Sequence, residues 1–181
     1  MAGKKKTSAA VGSDDPAVED KTVSTEKKRI IAKDIDIHQF IPVRNGFQGK
    51  LVYVSKRTGE TFIWDEFGSE QEIELQELRN VKSSAKKFYQ NNWFMFDADD
   101  KWVVDYLGVA QYYKYALGID DFDNLFQKTP AEIEEIIPKL SDGQKRSVSY
   151  RAMQLIRDGE IDSNKVIAAL ERSLGVELVE H

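Results

Sequence analysis

Residues that commonly perform chemistry in proteins are sparse in this sequence, and their spacing matches no catalytic pattern. The chain has two histidines, His38 and His181, and no cysteine, so neither a histidine-rich zinc site nor a thiolate nucleophile is predicted. With these two histidines a Ser-His-Asp triad is not credible either. The eleven glycines are scattered and form no phosphate-binding loop. We therefore expect no catalytic residues, no cofactor and no metal ion, and a protein that is not an enzyme.

An acidic cluster, Asp97-Ala98-Asp99-Asp100, is a candidate calcium site because carboxylates are calcium ligands. The cluster lacks the spacing and the distal glutamate of a twelve-residue calcium loop. Aspartate side chains also hydrogen-bond their own backbone in turns, so we interpret this stretch as a turn. His38 is likewise interpreted as a turn or surface residue.

Three groups of side chains are candidates for binding. They are a lysine run near the start of the chain, the basic face of a predicted helix and a tyrosine-rich segment. Tyrosine provides a large amphipathic surface that suits interfaces, whereas short basic runs are most often solvated surface. The candidate interaction residues are Lys4, Lys5, Lys6, Arg79, Lys82, Lys86, Tyr112, Tyr113 and Tyr115.

The clearest structural element is a predicted hairpin over residues 50–64. Apolar and polar positions alternate on both sides of the turn-forming sequence Lys56-Arg57-Thr58-Gly59, and this period of two is typical of paired strands. The turn dipeptide Asn45-Gly46 predicts a strand just before it, over 40–44. The alternating stretch 70–75 predicts a further strand.

The periodicity changes after this predicted sheet. Apolar residues recur every three or four positions from residue 75, which predicts an amphipathic helix over 75–90. Two apolar runs on either side of the acidic turn predict a second hairpin over 93–106. The tyrosine-rich stretch 108–117 is predicted to be a short helical segment.

The C-terminal third contains helix caps. Thr129-Pro130-Ala131-Glu132 and Ser141-Asp142-Gly143-Gln144 both fit the capping box, and Gly175 follows the last apolar period. Short helices with tight turns predict a compact bundle. Two of these helices could imitate a helix-turn-helix, but the exposed face of the last one carries mixed charges, which is unlike a recognition helix.

These elements predict an α+β fold, with a small antiparallel β-sheet domain followed by a C-terminal bundle of short helices. The expected domains are a disordered basic arm over 1–28, an α+β core over 29–117 and a helical subdomain over 118–181. Residues 1–33 hold eight Lys/Arg against five Asp/Glu, whereas the remainder holds 18 against 26. A basic arm thus precedes an acidic body, and the acidic body argues against broad nucleic-acid binding.

A set of turn and core positions resembles a loosely conserved group of uncharacterised proteins from tailed bacteriophages of Gram-positive hosts, regarded as virion structural components. The matching residues are Val43, Asn45, Gly49, Leu51, Tyr53, Gly68, Leu78, Tyr106 and Leu107. The resemblance extends over residues 35–175 and brings no catalytic residues. It implies a virion protein assembled in the host cytoplasm, with other virion proteins as partners and self-association in a symmetric assembly.

The expected function is that of a non-enzymatic structural protein of a phage head, neck or tail. A flexible N-terminal arm would contact neighbouring subunits and become ordered there. Two alternatives stay open at this point. One is a nucleic-acid-binding regulatory protein that uses the arm and the helix face 79–87, and the other is a phage-encoded binder of a host factor.

Overall fold

A computed structural model describes residues 35–179, where strands come first and helices follow, so the predicted α+β class is confirmed. The predicted arm over 1–28 lies outside the described residues. The strands are β1 (Phe40–Asn45), β2 (Leu51–Val54), β3 (Thr61–Trp64), β4 (Glu70–Glu74) and β5 (Phe94–Met95). The α-helices are α1 (Leu75–Ser84), α2 (Lys87–Gln90), α3 (Trp102–Tyr106), α4 (Pro130–Ile136), α5 (Asp142–Arg157) and α6 (Asn164–Leu174).

The strands form two small antiparallel sheets. In the first, β1 lies between β4 and β5, with Ile41 opposite Ile73 and Arg44 opposite Met95. In the second, β2 and β3 form the hairpin predicted over 50–64. The indole nitrogen of the buried Trp64 donates a 2.8 Å hydrogen bond to the carbonyl of Val43, which joins the two sheets.

The hairpin turn is closed by Ser55, a buried residue next to β2. Its hydroxyl oxygen accepts hydrogen bonds from the backbone N–H groups of Arg57 and Thr58. Its own N–H donates to the carbonyl of Glu60 across the turn. The side chain therefore satisfies backbone donors that the turn would otherwise leave unpaired.

The helix predicted over 75–90 is wrong as one continuous helix, because it breaks at Ala85 between α1 and α2. The hydroxyls of Ser83 and Ser84 both donate to the carbonyl of Asn80, and such bonds compete with the helical ladder. The break lets the buried Tyr89 turn back, so that its hydroxyl donates to the Leu78 carbonyl at 2.7 Å.

The second hairpin, predicted over 93–106, is also wrong. Its first half is the short β5, which pairs with β1, and its second half is the helix α3. A strand there would place Asp105 on the same face as Val103 and Leu107. The helix buries Val103 and Leu107 while Asp105 stays exposed, and this difference explains why the helix forms.

The C-terminal helices follow their predicted caps. Thr129 and Glu132 form the complete capping box at the start of α4. Pro138 lies in a 3₁₀ turn directly after that helix. Ser141 caps α5 by accepting the N–H of Gln144, but the side chain of Gln144 bonds elsewhere, so the second box is only half formed.

Two hydrophobic cores fill the described part of the chain. One is enclosed by the sheets and α1–α3, and the other by the C-terminal helices. The hydroxyl of Ser147, on α5, donates to the carbonyl of Gly46, next to β1, at 3.1 Å, and Gln144 on the same helix holds both the N–H and the carbonyl of Leu117, at 3.0 and 2.8 Å. Phe67, from the β3–β4 connection, packs against Phe122 with the two ring centroids 4.7 Å apart.

None of the helices described between residues 35 and 179 is long and apolar enough to span a membrane.

Candidate functional site

A surface of lysines, tyrosines and glutamines lies where the end of α1, helix α2 and the tyrosine-rich segment meet. We call it the basic–aromatic face. Lys86 brings its ammonium within 5.7 Å of the ring centroid of Tyr112. The side chain of Lys82 approaches the backbone at Gly108, the residue that begins the tyrosine-rich segment. The face consists of Lys82, Lys86, Gln90, Gln111, Tyr112, Lys114 and Tyr115.

The tyrosine-rich segment is held in place from beneath by two hydrogen bonds. Asn92 adopts a left-handed backbone conformation (φ 53°), and its amide donates to the carbonyl of Tyr112 at 2.9 Å. The hydroxyl of Tyr113 donates to the carbonyl of Phe94 at 2.6 Å. Tyr113 is thus tied to the first core, whereas Tyr115 remains half exposed.

The electrostatics of this face are dominated by cations. The Lys86 ammonium lowers the pKa of the Tyr112 hydroxyl, and Lys114, 4.9 Å from the centroid of the Tyr115 ring, lowers the pKa of Tyr115. Within residues 35–179, no carboxylate lies within 4.0 Å of Lys82, Lys86 or Lys114. These charges are available to an anionic ligand.

A shallow depression of about 230 Å³ opens in this surface. Tyr112 and Tyr115 line it together with Gln90 and Gln111, and Lys139 also belongs to its lining. Lys139 itself is paired with Glu135 at 2.8 Å. Two aromatic rings beside two amides can bind a flat group that has hydrogen-bonding edges.

A second exposed surface is the outer face of the β2–β3 hairpin. Val52 lies directly opposite Ile63 in the register, and Val54 lies opposite Thr61. Val52, Val54 and Ile63 are aliphatic, β-branched residues in a sheet, yet their side chains are exposed. We call this surface the hairpin face.

A buried carboxylate, Glu77, lies behind the hairpin turn and is the strongest candidate for acid–base chemistry. It accepts hydrogen bonds from the hydroxyl of Tyr53 at 2.5 Å, from Arg57 at 2.9 Å and from Asn80 at 3.1 Å. Burial alone would raise the pKa of Glu77, but these hydrogen bonds, led by that of Tyr53, hold it below its ordinary value. A general acid needs a raised pKa, so Glu77 does not have the pKa of a general acid, and its hydrogen bonds join the hairpin to α1.

The acidic stretch at 97–100 forms a short 3₁₀ turn. Asp97 is an acceptor for Arg44 at 3.1 Å, and Arg44 also binds Asp120 at 3.0 Å. Among the described residues, no group of three His, Asp or Glu side chains is arranged to hold a metal ion.

The sequence-predicted site residues fall into three sets. Lys4, Lys5 and Lys6 lie outside the described residues. The structure brings Lys82, Lys86, Tyr112 and Tyr115 onto the basic–aromatic face, and it places Arg79 in an exposed position on α1, three residues before Lys82. Tyr113 is held by its internal hydrogen bond.

Sequence reasoning missed the glutamines of the depression and the role of Arg57, which the sequence places only in a predicted turn. Arg57 instead donates to both Glu77 and Glu74. Glu77 lies 20 residues away in the sequence, and no local pattern marks such a pair. Gln90 and Gln111 are also brought together only by the fold.

Comparisons of this chain with protein-family models, with curated proteins and with solved structures found no match.

Proposed function

We propose that this protein is a non-enzymatic structural component of a tailed-phage particle, in its head, neck or tail, whose copies associate through the hairpin face. The observation that carries the proposal is the apolar character of that face. Val52, Val54 and Ile63 are 46, 52 and 40 % exposed and lie side by side. The solvated face of an antiparallel sheet is normally polar, and contiguous exposed apolar side chains mark interfaces.

The partner that covers the hairpin face is a second copy of this chain, because the charged residues beside this face are complementary to the same residues on another copy. Lys50 directly precedes β2 and Asp65 directly follows β3. Both side chains are exposed, and Nζ of Lys50 lies 3.2 Å from Oδ1 of Asp65. A two-fold axis parallel to the strands stacks β2 on β3 of the partner subunit, and each Lys50 then faces Asp65 of the partner subunit. Isologous contacts of this kind are the commonest in homo-oligomers.

The alternative two-fold axis, perpendicular to the strands within the interface, is disfavoured by charge. It would stack β2 on β2 and bring Lys50 towards Lys56 of the partner subunit. Like charges placed opposite each other at an interface are repulsive, so the parallel axis is preferred.

Particle membership rests on the resemblance to phage virion proteins and on the chemistry of the described surfaces. Most residues that carry the resemblance have structural roles here: Asn45, for example, is buried and donates to the carbonyls of Gly49 and Glu66. The basic arm with Lys4, Lys5 and Lys6 remains a predicted contact with neighbouring subunits.

Sedimentation velocity on the purified full-length chain tests the self-association. We expect a dimer for the natural sequence and a monomer for Ile63→Lys, since the new ammonium would be buried in the interface. Val176→Lys is the matched control, because Val176 is also exposed (41 %) but lies after α6. A natural chain that stays monomeric at high micromolar concentration would contradict association through this face.

Mass spectrometry of purified particles of the encoding phage tests membership. We expect the chain in intact particles at a fixed ratio to the other structural proteins. If it is missing from particles and is instead recovered in a stoichiometric complex with one host protein, the alternative of a host-factor binder is correct.

A further inference from the structure

The basic–aromatic face has no role in the self-association proposed above. It lies on α1, α2 and the tyrosine-rich segment, and it consists of residues other than those of the hairpin face. Its ligand must therefore be inferred from its own chemistry.

Its charge differs from that of the rest of the protein. The chain carries a formal net charge of −5, yet Lys82, Lys86 and Lys114 lie here without a carboxylate within 4.0 Å in the described part of the chain. The neighbouring Lys87 is also free of such a partner among those residues and places its ammonium 5.7 Å from the centroid of the Trp93 ring. Cations clustered on an acidic body select for a polyanion.

The aromatic groups indicate which kind of polyanion this face binds. Three lysines each approach an aromatic ring, at Tyr112, Tyr115 and Trp93. Interleaved cations and aromatic rings are the combination that binds single-stranded nucleic acid, since the cations contact the phosphates and the rings stack with bases. An acidic protein surface would use the cations, whereas a single nucleic acid strand also presents a planar base next to every phosphate.

We propose that the basic–aromatic face binds single-stranded nucleic acid, with one base in the depression between Tyr112 and Tyr115. Gln90 and Gln111 line that depression and offer amide groups to the edge of the base. Lys82, Lys86 and Lys114 contact the backbone on either side. A duplex does not fit this arrangement, because its bases are already stacked and their faces are not available to the rings.

Fluorescence anisotropy of the full-length chain with two labelled oligonucleotides tests the proposal. One is a twelve-residue oligo-dT, and the other is an abasic strand of the same length and charge. We expect tighter binding of oligo-dT than of the abasic strand at ~0.05 M salt, with affinity falling as salt rises.

Two variants separate the charge from the stacking contribution. Lys86→Ala should weaken both oligonucleotides and reduce the slope of log affinity against log salt by about 0.7. Tyr112→Ala should weaken oligo-dT by about fivefold or more and leave the abasic strand almost unchanged. Tyr115→Ala is a second test of the stacking contribution, because this side chain is half exposed and its removal leaves the core intact.

Two controls keep the proposal open to refutation. Lys165→Ala removes an exposed lysine on α6 and should not change either affinity. Simultaneous replacement of Lys4, Lys5 and Lys6 by alanine should leave the preference for oligo-dT in place. Binding that is lost entirely with that triple variant, or that does not distinguish oligo-dT from the abasic strand, would overturn the proposal, and so would no binding of oligo-dT at ~0.05 M salt. None of these outcomes bears on particle membership.

Discussion

Tyr53 donates a 2.5 Å hydrogen bond to Glu77, and both side chains are almost completely buried. Tyr53 belongs to β2 and Glu77 to α1, so the bond ties the hairpin to the helix that packs beneath it. Arg57, from the hairpin turn, neutralises the same carboxylate from the solvent side. The carboxylate thus positions both the strand and the turn of the hairpin.

Replacing Glu77 with glutamine should destabilise the fold. The amide keeps an acceptor for Tyr53, but it presents an NH₂ group or an uncharged oxygen to Arg57. We expect a loss of about 1–3 kcal/mol in the free energy of unfolding, the usual cost of an unsatisfied buried polar group. Urea unfolding at pH 7 measures it. Glu60→Gln, which changes an exposed carboxylate in the same turn region, is the control and should change stability little.

The contribution of Glu77 should depend on pH in a defined direction. Its pKa in the folded protein lies below its ordinary value, so the ionised form stabilises the fold. This contribution is complete above the unfolded pKa of about 4.3 and is lost as the pH falls through the lower folded pKa. Urea midpoints of the natural chain and of Glu77→Gln should therefore differ at pH 7 and converge below pH ~4. A difference between the two urea midpoints that stays constant from pH 7 down to pH ~3 would contradict this pH dependence.

A neighbouring carboxylate offers a test by NMR. Glu74 accepts a 2.6 Å hydrogen bond from Nδ1 of His38, and this contact, together with Arg57, lowers the pKa of Glu74. In His38→Ala the pKa of Glu74 should rise towards its ordinary value but remain below it, because Arg57 stays in place. Titration of the side-chain carboxyl signals measures it, with Lys50→Ala as a control that leaves Glu74 unchanged.

Local patterns in the sequence were enough to predict the hairpin and the capping box. The alternation around Tyr53 and the cap at Thr129 depend on residues within a few positions of one another. The helix at 102–106 could not be predicted in this way, because a short apolar run fits a buried strand or a buried helix equally well. Only the exposure of Asp105 in the folded chain separates the two.

The candidate surfaces were predictable to different degrees. Spacing along the chain identified the lysines near the end of α1 and the tyrosines near 112 as candidates. It did not predict that Lys86 and Tyr112 would lie next to each other. Their meeting depends on the helix break at Ala85 and on the left-handed Asn92. The bond from the Asn92 amide to the carbonyl of Tyr112 is a tertiary contact, which a periodicity argument does not contain.

Gly143 should not tolerate alanine, although it lies in the first turn of α5. Alanine favours a helix over glycine by about 1 kcal/mol. A Cβ at this position, however, would lie 2.2 Å from the carbonyl oxygen of Asn91, and backbone cannot move aside easily. We expect Gly143→Ala to lower the free energy of unfolding by about 1–3 kcal/mol, measured by urea unfolding. Ser149→Ala on the same helix is the control, and equal stability of the two variants would contradict close packing here.

The proposed two-fold axis predicts that two separately defective variants repair each other. In Lys50→Glu a carboxylate would face Asp65 of the partner subunit, and in Asp65→Lys two ammonium groups would face each other, so each variant alone should be monomeric. In a mixture, the glutamate introduced at position 50 of one chain would face the lysine introduced at position 65 of the other. The unchanged Asp65 of the first chain and the unchanged Lys50 of the second would also meet.

Sedimentation velocity should therefore show a heterodimer only when the two variants of Lys50 and Asp65 are combined. The pair within each chain, 3.2 Å apart in the natural protein, stays broken in both variants, so recovery on mixing can come only from contacts between chains. A mixture of Lys50→Glu with Val176→Lys is the matched control and should leave Lys50→Glu monomeric, since Val176 lies outside the hairpin face and its replacement leaves Asp65 unchanged. Two variants that remain monomeric when mixed would rule out this axis.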